Sequence, residues 1–321
     1  MKSNRPWPTP PSPAPTRSLL VKHSPEVDAA LSAGAPVVAL ESTIFSELGL
    51  PQPHSARALQ MVFEAITGAG ATPALTAVLD GDVHCGVARE EFDRICGPAR
   101  KAASRDIGLA VAQRWPYGAT TVSASVTIAA AAGVPVFATG GIGGVHRNAE
   151  MTGDISADLP AIARCPVITV AAGAKIFLDL PKTVEYLETL GVPVIGWGCE
   201  EFPAFHARSS GVAVSASSAD PAEVAALARN HWGLGGGGIL VVNPIPVEDA
   251  IARAELDLWV DEALRRTGAS LQGGNDVTPA VLAAMAEISA GRTIEANLAL
   301  AKNNANVAAR IASALAAPEH K

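Results

Sequence analysis

The chain has 321 residues and a formal net charge of -7 with no basic run, which argues against a nucleic-acid surface, so any anion it binds must be met by local groups. Apolar residues make up 49% of it and aromatics only 4%, a composition that suits close helix-to-sheet packing in an α/β protein and allows one large domain or two small ones. Four cysteines, Cys85, Cys96, Cys165 and Cys199, lack C-x-x-C spacing, so neither a zinc site nor a disulfide framework is indicated, and reduced thiols in a cytoplasmic protein are the simplest account.

Residues 1–17 are proline-dense without an apolar h-region, which predicts a flexible tail and not a secretory signal. Ser24-Pro25-Glu26 has the cap-then-proline order of a helix start, and that helix is expected to end near Gly34. The apolar run 37–40 reads as a buried strand that delivers Glu41-Ser42-Thr43 at its carboxyl end. Glu41 is thus either a general acid or base or a solvated loop carboxylate. A helix over 55–66 and a strand over 74–79 follow, closed by the turn Asp80-Gly81-Asp82.

The pattern over 89–114 is mostly helical, with Lys101, Arg105 and Asp106 grouped in the middle as a solvated helix face or a salt bridge. Gly118-Ala119-Thr120-Thr121 is expected to open a small-residue helix ending at Gly133. The stretch 122–138 comes nearest to a membrane span but is interrupted by Ser123, Ser125, Thr127, Gly133 and Pro135, so it reads as helix, turn and buried strand.

The segment 134–197 gathers the most chemistry. Runs at 134–138, 166–171 and 193–197 are short, β-branched and bounded by turn residues, as buried strands are, and ligand crevices in open parallel sheets lie outside the carboxyl ends of such strands. The glycine cluster 140–144 fails the dinucleotide fingerprint because His146 takes the third glycine's place; it fits a tight turn or a close approach to a ligand. Gly233 to Gly238 satisfies G-x-G-x-x-G formally but precedes a strand, so it is discarded. Asp154, Ser156 and Asp158 could hold a hard cation through oxygen and water, or could cap a helix with acids in its first turn.

Only seven lysines occur in the chain, and Lys175 stands between 167–174 and 176–178, both apolar. A charged amine there is costly unless paired, and a depression of roughly three pKa units, about 4 kcal/mol, would leave a neutral nucleophile fit for Schiff-base chemistry. The alternative is a helical lysine whose head snorkels to solvent. Asp220-Pro221 predicts another helix start, Asn243-Pro244-Ile245-Pro246 a rigid turn after a strand, and the remainder to about Ala316 helix with a break over 272–278.

Taken in order, ALEST (39–43), GATT (118–121), FATGGIGGVHR (137–147), DISADL (154–159), AGAK (172–175), LETLGVPVIG (187–196), FPAF (202–205), NPIP (243–246) and NNA (303–305) closely resemble the pseudouridine-5'-phosphate glycosidase family, also described as indigoidine synthase A-like, from about residue 20 to 315. The resemblance implies a three-layer α/β/α sandwich with a mostly parallel central sheet, a single catalytic domain over 18–321, and a homotrimer. It further implies a lyase of the glycosidase type that reversibly cleaves the carbon–carbon bond of pseudouridine 5'-phosphate to uracil and ribose 5-phosphate. By the same resemblance Lys175 attacks C1' of the ring-opened ribose and Glu41 donates or accepts the proton. Asp154 binds one divalent cation, usually manganese, and Lys101, Val122, Ser156, Ala157 and Asp158 contact substrate.

The chain departs from the family pattern at 44–50, where a histidine-glycine-containing run is usual, at Ala103 and Ser104, at Asn148 in place of a glycine, and at Asn275 in place of a lysine. These positions bear on the binding of phosphate or base, hence on specificity. They leave open a Schiff-base enzyme for another C-linked ribosyl phosphate, or an inactive phosphosugar-binding module.

Overall fold

The structure, a computed structural model, describes residues 21–268 and 277–318. The expected tail over 1–17, the position of Asn275 and most of the expected break over 272–278 lie outside the described residues.

Ten strands form one sheet: β1 (Val37–Leu40), β2 (Thr72–Leu79), β3 (Asp82–Cys85), β4 (Arg100–Ala102), β5 (Tyr117–Thr120), β6 (Val136–Ala138), β7 (Ile168–Ala171), β8 (Val194–Trp197), β9 (Ala216–Ser218) and β10 (Ile239–Val242). Their spatial order is β4-β5-β2-β1-β6-β7-β10-β8-β9, with β3 paired to β2. All pairings are parallel except β2 with β3 and β2 with β5. Every residue of β1, β6, β7 and β10 is buried, as expected of central parallel strands covered on both faces. The helix Arg292–Ala316 lies against β1, β6 and β7, and the helix Val122–Ala131 lies against β1, β2 and β6. This is the expected α/β architecture with a mostly parallel sheet. Among the described residues no helix is long and apolar enough to cross a membrane.

Local rules account for many boundaries. Ser24 caps the helix Pro25–Ser32 by accepting from the Val27 N–H, and Asp220 caps Pro221–Gly233 by accepting from the Ala222 N–H at 2.9 Å.

Three expectations need correction. The span 89–114 is not one helical stretch: the short helix Phe92–Ile95 stops before Pro98, and Lys101 lies on β4, paired in parallel with β5 through Lys101 and Ala119. Its charges suit a sheet edge as well as they suit a helix face. Second, Tyr117–Thr120 is a strand, and the helix begins only at Val122. Third, Asp80-Gly81 closes a hairpin whose second arm, β3, was not anticipated.

After β6 and β7 the chain continues as two adjacent loops. The Ile142 N–H donates to the Gly173 carbonyl at 3.0 Å, and the Lys175 N–H donates to the Ile142 carbonyl at 3.2 Å. Gly173 makes this possible: its φ is +75°, and an added Cβ would sit 2.1 Å from the Pro203 carbonyl oxygen. Gly173→Ala should therefore cost on the order of 2 kcal/mol or more in chemical denaturation. An unchanged unfolding midpoint would contradict so close an approach.

Candidate active site

The site forms where strand ends converge. β1 ends at Leu40, opposite Leu75 of β2; β5 approaches from the other direction, with Ala119 opposite Ala77, and ends at Thr120. The residues that follow are joined by buried hydroxyls. Ser42 Oγ lies 3.1 Å from Thr120 Oγ1 and accepts from the Thr120 N–H at 2.9 Å, while Thr76 Oγ1 lies 2.8 Å from Thr120 Oγ1. Thr43 Oγ1 donates to the Thr120 carbonyl at 2.7 Å. Satisfied networks of this kind are rigid because each hydroxyl would be costly to bury alone. The ALEST and GATT segments are thus two halves of one brace that fixes the base of Glu41.

Above this brace lies a cavity of about 270 Å³. Glu41, Lys101, Arg105, His146, Asp154 and Lys175 supply its charged and titratable wall, together with Asp158 and Ser156; Ile44, Leu48, Leu50, Phe205 and Leu282 supply an apolar wall. Every one of the sequence-predicted site residues, including Val122 and Ala157, lines it. These predicted residues, separated by up to 134 positions in the chain, therefore share one chamber.

Glu41 is buried, and the Thr139 hydroxyl donates to its Oε1. Loss of solvent pushes its carboxyl up to about 7, partly offset by Lys175, by the Thr139 hydrogen bond and by Lys101, and reinforced by Asp158. A carboxylate poised there can both give and take a proton near neutrality. Lys175 is half-buried, between Ala174 and Ile176 in the loop after β7, and faces the same chamber rather than bulk water.

Asp158 opens the helix Asp158–Arg164, yet its carboxylate does not cap that helix. Its two oxygens each accept a backbone N–H at 2.9 Å, from Ser123 in the first turn of the helix Val122–Ala131 and from Gly143, and so tie the start of that helix to the loop after β6. The glycine at 143 has a packing reason: a Cβ there would lie 2.3 Å from Ser156 Oγ and 2.9 Å from Asp158 Oδ2. Asp154 is half-buried, with Oδ2 3.7 Å from His146 Nδ1. Burial pushes His146 down, against the pull of Asp154, with Lys175 and Lys101 adding to the depression.

Among the described residues no three His, Cys, Asp or Glu side chains group tightly enough to enclose a metal ion. A single carboxylate at the chamber wall fits a hard divalent cation that keeps water and takes its remaining oxygens from a substrate.

Sequence reasoning did not single out Thr139, Phe205 or Asn297. Thr139 and Phe205 carried a signal, because each sits inside a recognised motif. Phe205 holds φ at +61°, unusual for a side chain of its size, and its ring closes over Gly141, where a Cβ would lie 2.7 Å away. Asn297 sits within the regular helix Arg292–Ala316 and gave none; it lines the chamber, and its Oδ1 has no hydrogen-bond partner among the described residues. Asn148 adopts φ +62°, a conformation that asparagine tolerates better than most residues, which explains how it can stand in a glycine's place. The departure at 44–50 matters more, since Ile44, Leu48, Gly49 and Leu50 all line the chamber.

Known proteins resemble the chain in sequence and fold. The profile of the family described as "Indigoidine synthase A like protein" matches residues 26–314. The chain is 48% identical over 302 residues to a pseudouridine-5'-phosphate glycosidase of Paracoccus denitrificans, covering 92% of this chain and 99% of the relative. A protein of the same name from Mesorhizobium japonicum is 45% identical over 307 residues, covering 95% and 100%. In three dimensions the chain is similar to the prealnumycin C-glycosynthase AlnA in complex with ribulose 5-phosphate, with a TM-score of 0.85, 36% identity and coverage of 92% and 97%. An indigoidine synthase A-like protein from Thermotoga maritima gives a TM-score of 0.81 at 32% identity, covering 88% of this chain and 94% of the other.

The ionisation of Glu41 makes stability depend on pH with a definite sign. Its folded value of about 7 exceeds the ordinary 4.5, so the folded chain holds this proton more tightly than the unfolded one. Ionisation then opposes folding progressively between those values. Glu41→Gln should be more stable than the parent at pH 8 by about 1–3 kcal/mol, with the difference fading below about pH 5. Denaturant titrations at both pH values check this; a gain that is equal at both would contradict it.

Proposed function

The chain belongs to the indigoidine synthase A-like family, and from that premise we propose that it cleaves, reversibly, the carbon–carbon glycosidic bond of pseudouridine 5'-phosphate to give uracil and ribose 5-phosphate. The observation that carries the reading is the pairing, within one chamber, of the Lys175 amine with a buried Glu41 carboxyl that titrates near neutrality.

The bond has no oxygen or nitrogen leaving atom for an acid to protonate, so the usual two-carboxylate route is closed. In our reading the Lys175 amine bonds to C1' as the bond from C1' to the ring oxygen opens, and a proton of the attacking nitrogen passes to that oxygen, leaving a secondary amine and a free hydroxyl. Glu41 gives a proton to the uracil carbon attached to C1'. The nitrogen lone pair then forms C1'=N while the electrons of the carbon–carbon bond return to the uracil ring, and water hydrolyses the imine to free the sugar aldehyde and the amine. Water leaves its proton through Glu41, which restores the starting state.

Lys101 and Arg105 supply the chamber's cationic wall for a phosphosugar, His146, which burial keeps neutral, adds a hydrogen-bonding edge, and Ser156, Ala157 and Val122 shape the wall beside them. Asp158 contributes by holding Gly143 and Ser123 in place as much as by touching substrate. Asp154, with water and substrate oxygens, would hold a manganese ion. When bound, that ion supplies positive charge for substrate oxygens. The same reading makes the protein a cytoplasmic homotrimer.

A second reading, a related C-ribosyl phosphate as substrate, is favoured by the apolar wall that Ile44, Leu48 and Leu50 present. Comparing kcat/KM across several C-nucleoside phosphates separates the two.

With pseudouridine 5'-phosphate and manganese, the parent should release uracil, and Lys175→Ala should reduce the rate by about 10⁴-fold or more while remaining folded. Release of uracil by Lys175→Ala at the parent's rate would overturn the assignment. Asp154→Asn should weaken manganese binding in a titration followed by paramagnetic resonance, at least about tenfold, in the presence of ribose 5-phosphate. Unchanged binding would place the ion elsewhere.

A further inference from the structure

Behind Glu41, away from the chamber, a second pair of side chains meets the catalytic loop. Asn304, fully buried on the helix Arg292–Ala316, donates from Nδ2 to the carbonyls of Thr139 at 2.8 Å and Gly140 at 3.2 Å. Its Oδ1 accepts from Asn243 Nδ2 at 3.0 Å, and Asn243, also buried, follows β10. Neither asparagine lines the chamber. The two residues belong to the NNA and NPIP motifs, for which the chemistry above has no use.

We propose that Asn304, anchored by Asn243, is a positioning residue for the bond-breaking step: it fixes the Thr139–Gly140 turn and, through the Thr139 hydroxyl, the reactive edge of Glu41. This rests on the reading of Glu41 as the proton carrier.

The geometry leaves little else to do that work. Both N–H bonds of the Asn304 amide are spent on consecutive carbonyls of the very turn that carries Thr139, so the turn cannot rotate without stranding buried donors and acceptors. On this side of Glu41 the described residues leave a void of about 10 Å³ walled by Phe45, Val62, Ala138 and Ala301. That is at or below the room one water needs, so solvent does not readily replace the hydroxyl if the turn drifts. The other groups that act on Glu41 come from the chamber side: Lys175 after β7, Asp158 at the start of its helix, and Lys101 on β4. With the Thr139 donor gone, the ionised carboxylate loses a partner and becomes harder to form.

A purely structural asparagine would alter stability without touching the ionisation of Glu41, and that difference is what the test reads. In the full-length protein, Asn304→Ala should lower kcat for uracil release about tenfold with KM held within about twofold, and should move the Glu41-dependent limb of the pH profile up by about half a unit or more. In a Thr139→Val background the same substitution should add no further shift. Infrared titration of the carboxyl band, taken as parent minus Glu41→Gln, should show the same upward movement without any turnover. It therefore reads the positioning role even if the parent releases no uracil, a result that would overturn the glycosidase reading alone. Should Asn304→Ala fail to fold, Asn243→Ala, which frees the Asn304 amide but leaves it present, should give the same shift in the same direction. A carboxyl midpoint that stays put or moves down, or an effect that adds in full to Thr139→Val, would overturn the proposal.

Discussion

A carboxylate taken out of water at the end of a central strand is the constraint on which the rest of this molecule depends. Glu41 cannot be left there without partners, because burying a charge costs more than almost any single contact returns. The fold meets that cost with a hydroxyl from Thr139, with the nearby lysines, and with a proton affinity raised to near neutrality. The same features that make the group tolerable make it useful, since a carboxyl at this balance exchanges protons in either direction. Around it the hydroxyls of Ser42, Thr76 and Thr120 form a rigid floor, and the Asp158 carboxylate ties a helix start and a loop into the wall.

Much of this was legible in the sequence, and for definite reasons. Short β-branched runs bounded by glycine and proline identified β1, β6, β7, β8 and β10, because central parallel strands have no polar face to disguise them. Lys175 stood out as a charge in an apolar neighbourhood, and Glu41 as a charge immediately after a strand. The edge of the sheet was harder to read. β4 is three residues long and charged, and β5 is a tyrosine followed by small residues that look equally helical; tertiary pairing decides both, β5 with β2 and β4 with β5. That antiparallel pairing also explains why the chamber is not simply the carboxyl end of a parallel sheet: β5 reaches it from the opposite direction.

The roles of individual polar groups were less visible. Asp158 reads in the sequence as a helix cap or a ligand, but its oxygens serve backbone N–H groups of a distant helix start and a distant loop, a long-range outcome no local pattern encodes. Asn297 and Asn304 sit in a regular amphipathic helix whose periodicity predicts burial and says nothing of what a buried amide will meet. The departures from the family pattern sort by geometry: Asn148 preserves a left-handed turn, whereas Ile44, Leu48 and Leu50 remake part of the chamber wall. Selectivity among C-linked ribosyl phosphates is therefore expected to reside in that wall, with the lysine and carboxyl in common.

The central claim is that the amine of Lys175 becomes covalently bonded to the sugar. Its most direct measurement is borohydride reduction of the protein in the presence of ribose 5-phosphate and uracil, followed by peptide mapping by mass spectrometry. The account predicts one reduced sugar-phosphate adduct per chain, on Lys175, that is lost in Lys175→Ala. A protein that turns over substrate yet leaves Lys175 unlabelled, or carries its adduct on Lys101, would contradict it.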